Sequence, residues 1–511
     1  LRCEQHLSKD EILEGQRLKT IAHGAGLTFI GSVVGYGLKY ILSIVLARFL
    51  GAQMVGLYFL GQTITNLAAT ISRAGLDNGV LKFIPSYQVH GQEEKVKVVV
   101  VETLGFTFGV SILISTIIFV TKSWVARFFE VPGLVKIIPF FAIALPFVNL
   151  MTVAAALAKA FKRIDYSVIP VNIVQPLLNL LAISLFFLLG FRIFGALVAY
   201  ILSLVLTSFL SLFYIRRLSP GKYTRKGFLQ IGSLVIYSLP LLLVSFLNFI
   251  TMWIDTLMLG FFKGAFEVGI YNAAVKTATL SSFILVSFNA IFAPTISELY
   301  SKGDMKELGR LFQTVTRWIV VFTWPMFLFI LLFSKDIMLL FGKEFGIGST
   351  ALTLLALGQL VNSAVGSVGY LLVMTGWQKL MMINTLGICF LNILLNYFLV
   401  PRYSIDGAAA ATGFSNALFN IVMLIEVAII LRVQPYNVKF LKPLLSGVVA
   451  SLIVLLLNSI VPAFDSVIVF QAIFFIAIYM RIMLAMRLEN EDKVIIESVL
   501  RKLIIRGGSI G

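Results

Sequence analysis

Fourteen stretches of 15 or more residues contain no Asp, Glu, Lys or Arg, and they leave few folds open to this chain. They run over 20–38, 49–72, 103–121, 137–158, 166–191, 193–215, 227–254, 277–297, 318–334, 345–378, 380–401, 407–425, 443–464 and 466–480. A helix needs about 20 mostly apolar residues to cross a bilayer core. Each run holds most of one such helix. Barrel strands alternate apolar and polar residues with period two, whereas these runs are apolar on every face, which argues against strands. Composition points the same way. Hydrophobic residues make up 59% and charged residues 13%, where soluble domains have about 45–50% apolar and 25% charged residues. The chain reads as an all-α polytopic membrane protein with fourteen transmembrane helices.

The charges orient it. One orientation puts 28 of the 41 Lys and Arg on cytoplasmic segments and nine on outer ones; the other four, Lys39, Arg73, Lys276 and Arg317, fall in or beside spans. The positive-inside rule therefore predicts a multi-pass protein of the cell membrane with both termini cytoplasmic. The formal net charge of +17 then meets anionic lipid headgroups, so membrane lipids are expected partners and nucleic acid is not. Residues 1–19 are polar and run into a full span, unlike a cleaved signal peptide. At the other end, 488–511 carries Ile495, Ile496, Val499, Leu500, Leu503 and Ile504 at helical spacing among basic residues, the pattern of an amphipathic helix on the cytoplasmic surface.

The sequence is duplicated. Gly51-Ala52-Gln53-Met54-Val55-Gly56-Leu57-Tyr58 matches Gly264-Ala265-Phe266-Glu267-Val268-Gly269-Ile270-Tyr271 at an offset of 213, and Leu178-Asn179 matches Leu391-Asn392 at the same offset. One deletion later, Gly195-Ala196 falls on Gly407-Ala408. The repeat is six spans long, an even number, so both copies share one topology and are related by an axis along the membrane normal. The expected organisation is a cytoplasmic segment 1–19, an N-lobe 20–215, a basic linker 216–226, a C-lobe 227–432, two extra helices in 440–487 and the tail.

Chemistry-bearing motifs are few. Cys3 and Cys389 make no disulfide framework, and His6, His23 and His90 stand too far apart for a metal-ligand spacing. There is no phosphate-binding loop, dinucleotide fingerprint, H-E-x-x-H or G-x-S-x-G. We therefore expect no metal, no cofactor and no enzyme.

What remains is polar residues inside spans. A charge at mid-bilayer costs about 2.5–3.5 kcal/mol on insertion scales, which makes such residues functional candidates. Lys39 sits near the middle of the first span at i+4 spacings from Gly31, Gly35 and Ser43. Glycines admit a close neighbouring helix, so this face should point into the bundle. The lysine is either an anion-binding cation or a structural one paired with a carbonyl or carboxylate. Asp255 and Lys276 are equidistant from the turn between spans 7 and 8, which puts them at one depth. They form either a structural ion pair or a cavity pair that a substrate phosphate or a proton opens. Arg73 and Arg317 lie nearer the inner face, where snorkelling is the default and lining an inward-open cavity the alternative. Asp77 follows Arg73 by one helical turn and is its expected partner. Gln359, Asn362, Asn392, Asn396, Asn416 and Asn420 either hydrogen-bond sugars or join helices.

Leu46-Ala47-Arg48-Phe49-Leu50-Gly51, then Val55-Gly56-Leu57-Tyr58 and Gly75-Leu76-Asp77, resemble the first-loop region of the polysaccharide flippase (Wzx-like) branch of the multidrug/oligosaccharidyl-lipid/polysaccharide exporter superfamily. Asp255-Thr256-Leu257-Met258-Leu259-Gly260, then Val268-Gly269-Ile270-Tyr271 and Ala293-Pro294, are similar to that branch's span 7–8 pattern. The resemblance implies a secondary transporter that flips a lipid-linked oligosaccharide, on a polyprenyl phosphate or pyrophosphate, by alternating access. On that reading Lys39, Lys276, Arg73, Arg317 and Asn362 bind substrate, Asp255 couples H+ or Na+, and the protein is a monomer. In the related lipid II flippases the position matching Lys276 looks like a cavity-facing arginine. Two other readings remain. A cation-coupled multidrug exporter would want an acidic cavity, but the first span carries Lys39 and no acid. A membrane glycosyltransferase or ligase would want paired carboxylates, and the short outer loops offer none.

The charge asymmetry makes topology testable. A cysteine introduced beside Lys263 should react with an impermeant thiol reagent from outside the cell, and one within 216–226 should not. Outside labelling of the linker would give the repeat an odd number of spans and end the parallel-duplication reading.

Overall fold

The computed structural model describes residues 9–219, 230–460 and 468–486. Residues 1–8, most of the basic linker and the tail 488–511 lie outside the described residues, and so does the amphipathic helix expected there. The described residues are helical throughout, without a strand: α1 Lys9–Arg73, α2 Leu76–Val89, α3 Glu93–Phe128, α4 Leu134–Ala160, α5 Ile164–Val168, α6 Gln175–Leu188, α7 Ile193–Leu218, α8 Gln230–Phe262, α9 Ala265–Ala278, α10 Ser282–Ser301, α11 Met305–Leu339, α12 Ser349–Ala364, α13 Val368–Met374, α14 Gln378–Ile430, α15 Leu441–Ile460 and α16 Ile468–Ala485. A π-helical turn, Ile169–Val174, joins α5 to α6. Pro170 in this turn cannot donate a backbone hydrogen bond, which suits the wider winding.

The all-α membrane class holds. Ten helices among the described residues are long and apolar enough to cross a bilayer, or eleven with the bent α9–α10 pair counted as one span. Two of them are double. α1 breaks at Gly51 (φ 73°, ψ 171°) and α14 at Ser404 (φ 51°, ψ −125°), so each supplies two legs. By length and hydropathy the described residues thus pass fewer spans than the fourteen expected from the sequence, and α16 is too short to pass by itself.

Where the two copies of the duplicated motif meet, their glycines explain the packing. A Cβ on Gly56 would lie 1.6 Å from the Ala265 carbonyl oxygen, and one on Gly269 would lie 2.1 Å from the Ala52 carbonyl oxygen. The contact is reciprocal: each copy's glycine meets the other's alanine. Backbones this close admit no side chain at either glycine. The glycines of the first span behave as expected. Cβ atoms on Gly31 and Gly35 would lie 2.3 Å from Val168 Cγ1 and 2.6 Å from the Asn172 carbonyl oxygen.

Charges close the same end. Arg48 donates from Nε to the Leu340 carbonyl (2.6 Å) and from Nη2 to that of Leu339 (3.3 Å), while Glu344 accepts from the Ala52 backbone N–H at 3.0 Å. A cation thus caps the C-terminus of α11 and a carboxylate caps the second leg of α1, each matched to the helix dipole it faces.

The buried side chains follow this plan. One cluster draws Leu46, Tyr58 and Phe141 from the first half together with Tyr271, Phe345 and Ala408 from the second. Two others stay apart at the opposite end. One holds Leu76, Val99, Leu157 and Leu234; the other holds Phe292, Phe312, Leu371 and Val427. The halves therefore share a core at the Gly51–Gly264 end and keep separate cores at the far end. α8 bridges them. Its first half packs on α2, with Lys82 Nζ 4.0 Å from the Tyr237 ring centroid and Asn78 Nδ2 3.3 Å from Ser245 Oγ, and its second half packs on α14.

Gly56→Val or Gly269→Val should force the α1–α9 crossing apart and cost at least about 1–3 kcal/mol, the usual range for overpacking. Thermal unfolding in detergent measures this. Gly105→Val, at a position where a Cβ meets nothing within 4 Å, is the control and should leave the melting temperature nearly unchanged.

Candidate functional site

The seam between α1 and α9 carries the two mid-span lysines. Lys276 Nζ donates to Ser43 Oγ at 2.9 Å and lies 3.8 Å from the centroid of the Phe59 ring. Ser43 in turn donates to the Lys39 carbonyl at 2.7 Å. Lys39 keeps an exposed side chain, makes no side-chain hydrogen bond or ion pair among the described residues, and is linked to Lys276 through Ser43, which bonds to both residues. The expected inward-facing glycine stripe is real, but the lysine that continues it is not buried in the seam. Two like charges on one helix seam, with no carboxylate on either among the described residues, form a site that an anion would stabilise.

Beside the pair runs an apolar groove of about 950 Å³. Tyr40 and Thr277, the residues immediately after the two lysines, rim it and are hydrogen-bonded to each other at 3.2 Å. Beyond them it is walled by Phe283 and Phe288 of α10, Phe329 of α11 and Phe475 of α16. Cationic and apolar surfaces thus meet across one helix seam.

Asp255 is elsewhere, and of the two readings of Asp255 and Lys276 the structural ion pair is not made. The carboxylate, 5% exposed, accepts from the Tyr271 hydroxyl, from Thr412 Oγ1 at 3.2 Å and from the Thr256 backbone N–H at 2.8 Å. The network extends through Asn392 Nδ2, 3.4 Å from Thr412 Oγ1, to Asn396, whose Nδ2 lies 2.9 Å from the Asn392 carbonyl. Equal distance from a turn sets depth along a helix but not direction around it. Tyr271 and Lys276 are five residues apart, which at 3.6 residues per turn separates them by about 140°. With Tyr271 turned to Asp255, Lys276 faces α1. The signal for Tyr271 was present in the repeated Val-Gly-x-Tyr motif; the one for Thr412 was not. The repeat is also asymmetric here, because the positions that match Asp255 and Thr412 in the first copy are Leu42 and Tyr200.

The remaining candidates are dispersed. Arg73 pairs with Asp77 at 3.2 Å as expected, but across a helix break at Ala74 and Gly75 and not along one helix. It also donates to Asn149 Oδ1 (3.0 Å) and Thr70 Oγ1 (3.2 Å), and Asn149 donates to Ser111, so the guanidinium ties α1, α2, α4 and α3 together. Arg317, 4% exposed, lies at the far end of α11 from the Gly51 crossing. Asn362 donates to Gln359 at 3.4 Å, and Ser282 of α10 donates to the same oxygen at 2.8 Å. Asn420 donates to the Asn416 carbonyl at 2.8 Å. Of the six residues to which the resemblance gives substrate or ion-coupling roles, the structure brings only Lys39 and Lys276 to one seam. Among the described residues no group of His, Cys, Asp and Glu is placed to hold a metal ion.

Fold and site together define a polytopic helical membrane protein with an unneutralised cation pair beside an apolar groove. A family model described as polysaccharide biosynthesis protein matches residues 21–300, more than half of the chain, and a second, MatE, matches 240–398. The chain belongs to the polysaccharide biosynthesis protein family. It is 28% identical over 167 residues to the probable low-salt glycan biosynthesis flippase Agl15 of Haloferax volcanii, covering 32% of this chain and 35% of that protein. To the probable flippase AglR of the same organism it is 28% identical over 199 residues, covering 37% and 39%. The matched stretches thus span well under half the length of these two relatives. The lipid II flippase MurJ, in an inward closed conformation, superposes with a TM-score of 0.68 at 16% identity, covering 89% of this chain and 97% of that one. The fold is therefore shared with that transporter.

If Asp255 and Lys276 have no common partner, their substitutions should be additive. The double variant Asp255→Asn with Lys276→Gln should match the sum of the singles within about 0.5 kcal/mol in detergent unfolding, whereas Asp255→Asn with Thr412→Val should show coupling of about 0.5–3 kcal/mol. Strong coupling in the first cycle would restore the ion pair.

Proposed function

We propose that the protein is a secondary transporter, without enzymatic activity, that flips a lipid-linked oligosaccharide across the cytoplasmic membrane for cell-surface glycan synthesis. The observation that carries this reading is the Lys39–Lys276 pair beside the groove. A polyprenyl-linked saccharide has an anionic phosphate or pyrophosphate between a polar glycan and a long apolar tail. The lysines suit the phosphate and the groove suits the proximal part of the tail. Both ammonium groups sit where an isolated charge is costly, so an arriving anion relieves a standing penalty. Names of relatives support the same reading: Agl15 and AglR are described as flippases, the former of glycan biosynthesis.

Two lobes, 20–215 and 227–432, would rock about the α1–α9 seam in alternating access. Helices 440–487 would stand outside the duplication. The shared core at one end and separate cores at the other suit one state of that cycle, closed at the Gly51 end. With both termini cytoplasmic, that end is the outer one. Coupling to H+ or Na+ would fall to Asp255, a buried carboxylate without a cationic partner among the described residues, held by three donors between α8, α9 and α14. Arg73 and Asn362 are secondary substrate contacts on this reading, and their networks suit structural roles equally; Arg317 faces a separate pocket. The MatE match accommodates a multidrug exporter, but a pair of lysines repels cationic drugs.

Flipping in proteoliposomes with a labelled polyprenyl pyrophosphate oligosaccharide tests the proposal. Lys39→Ala and Lys276→Ala should each lower transport by about 10- to 100-fold, the loss expected for one charged contact of about 1.5–3 kcal/mol. Lys39→Arg should retain part of the activity. Normal flipping by both alanine variants would remove the phosphate site and the reading built on it.

A further inference from the structure

A second cationic site lies away from the lysine pair, at the end of the bundle where the two cores are separate. Arg310, Gln313, Thr314 and Arg317 follow the spacing i, i+3, i+4, i+7 and so share one face of α11. With Asn437 and Lys439, from the connection between α14 and α15, they line a pocket of about 210 Å³. All six residues are polar, three are cations and none is a carboxylate. Arg317 is 4% exposed and still lines the pocket, so the pocket reaches down to a buried arginine.

The walls are held in place. Asn437 Nδ2 donates to Gln313 Oε1 at 3.1 Å, and Val433 packs over Gly309, where a Cβ would lie 3.3 Å from Val433 Cγ1. Asp304 caps α11 by accepting from the Glu307 N–H at 3.0 Å. The Arg310–Glu307 contact of 3.2 Å is between exposed side chains and is worth little.

The surroundings indicate the depth. Val438 is 83% exposed, Leu441 53% and Tyr436 39%, and the Tyr436 ring meets Phe440 edge-on with centroids 5.2 Å apart. Apolar and aromatic side chains turned outward beside basic ones are what a segment at headgroup level presents. Fork-like guanidinium donors match the oxygens of a phosphate.

We propose that this pocket binds the phosphate-bearing headgroup of an anionic membrane lipid, with Arg310, Arg317 and Lys439 around the phosphate and the acyl chains running past Val438 and Leu441. The site is independent of the flipping reaction. A bound headgroup would pin the α14–α15 connection to α11 and so join the last two helices to the second half. Basic pockets between membrane helices are a known means of selecting such lipids.

The test is a titration of purified protein in detergent with phosphatidylglycerol, phosphatidylcholine or inorganic phosphate, read by melting temperature. Three proteins are compared: wild type, Arg310→Gln with Lys439→Gln, and Lys302→Gln with Lys306→Gln, which removes the same charge outside the pocket. Phosphatidylglycerol should raise the melting temperature of the wild type and the control. The pocket variant should bind it about thirtyfold more weakly, as expected for two basic contacts of about 1 kcal/mol each. Three results would overturn the proposal: equal losses in both double variants, an equal shift with phosphatidylcholine, or the same shift from inorganic phosphate, which would mark a free-anion site. Melting temperatures without lipid show that the variants fold.

Discussion

The backbone contact between Ala52–Gly56 and Ala265–Gly269 governs much of this molecule. It brings α1 and α9 together closely enough for Lys276 to reach Ser43, and it anchors the single core that joins the halves. In a bilayer no hydrophobic effect pushes helices together, so association relies on close packing and on polar contacts. Two glycines in reciprocal positions provide the packing. Arg48 and Glu344 add helix caps across the same boundary, where charged groups lie near the interface and are less costly than at mid-depth.

From this crossing follows the separation of the charged groups. One face of α9 is committed to α8 and α14 through Tyr271, so Lys276 is turned toward α1. The acid is left with hydroxyl and backbone donors, and Lys276 with Ser43 and the Phe59 ring. An ion pair would have neutralised both groups within the protein. Its absence leaves a cationic site and an acidic site that can each respond to a different ligand. Tyr271, which donates to the acid, and Lys276 are nonetheless five residues apart on α9, so a rotation or bend of that helix would disturb both sites. That offers a physical route for linking ion binding at Asp255 to the state of the anion site, in the sense that both would bias one structural element.

The apolar groove and the pocket at Arg317 show how membrane proteins divide their surface. The groove is almost wholly apolar and begins at mid-depth, where hydrocarbon is the solvent. The pocket is wholly polar and sits among outward-facing Tyr436 and Val438, where headgroups are. Each has the chemistry of the layer it opens to, which is why the two invite different parts of a lipid.

Much was legible in the sequence because membrane insertion imposes a one-dimensional rule. Apolar runs, the excess of Lys and Arg on alternate loops and the 213-residue repeat need no knowledge of neighbours, and they determined the helical class and the expected orientation. Glycine spacing showed where helices approach, as Gly31 and Gly35 do against Val168 and Asn172. Direction around a helix was another matter. Glycine spacing does not say how far the Lys39 side chain remains accessible, and equal depth does not say that Asp255 and Lys276 face each other. Rotation about a helix axis is set by every partner of that helix at once. Only the tertiary structure could decide that Tyr271 and Thr412 hold the acid, that Lys276 meets Lys39, and that Arg317 shares a pocket with Lys439, 122 residues further along the chain.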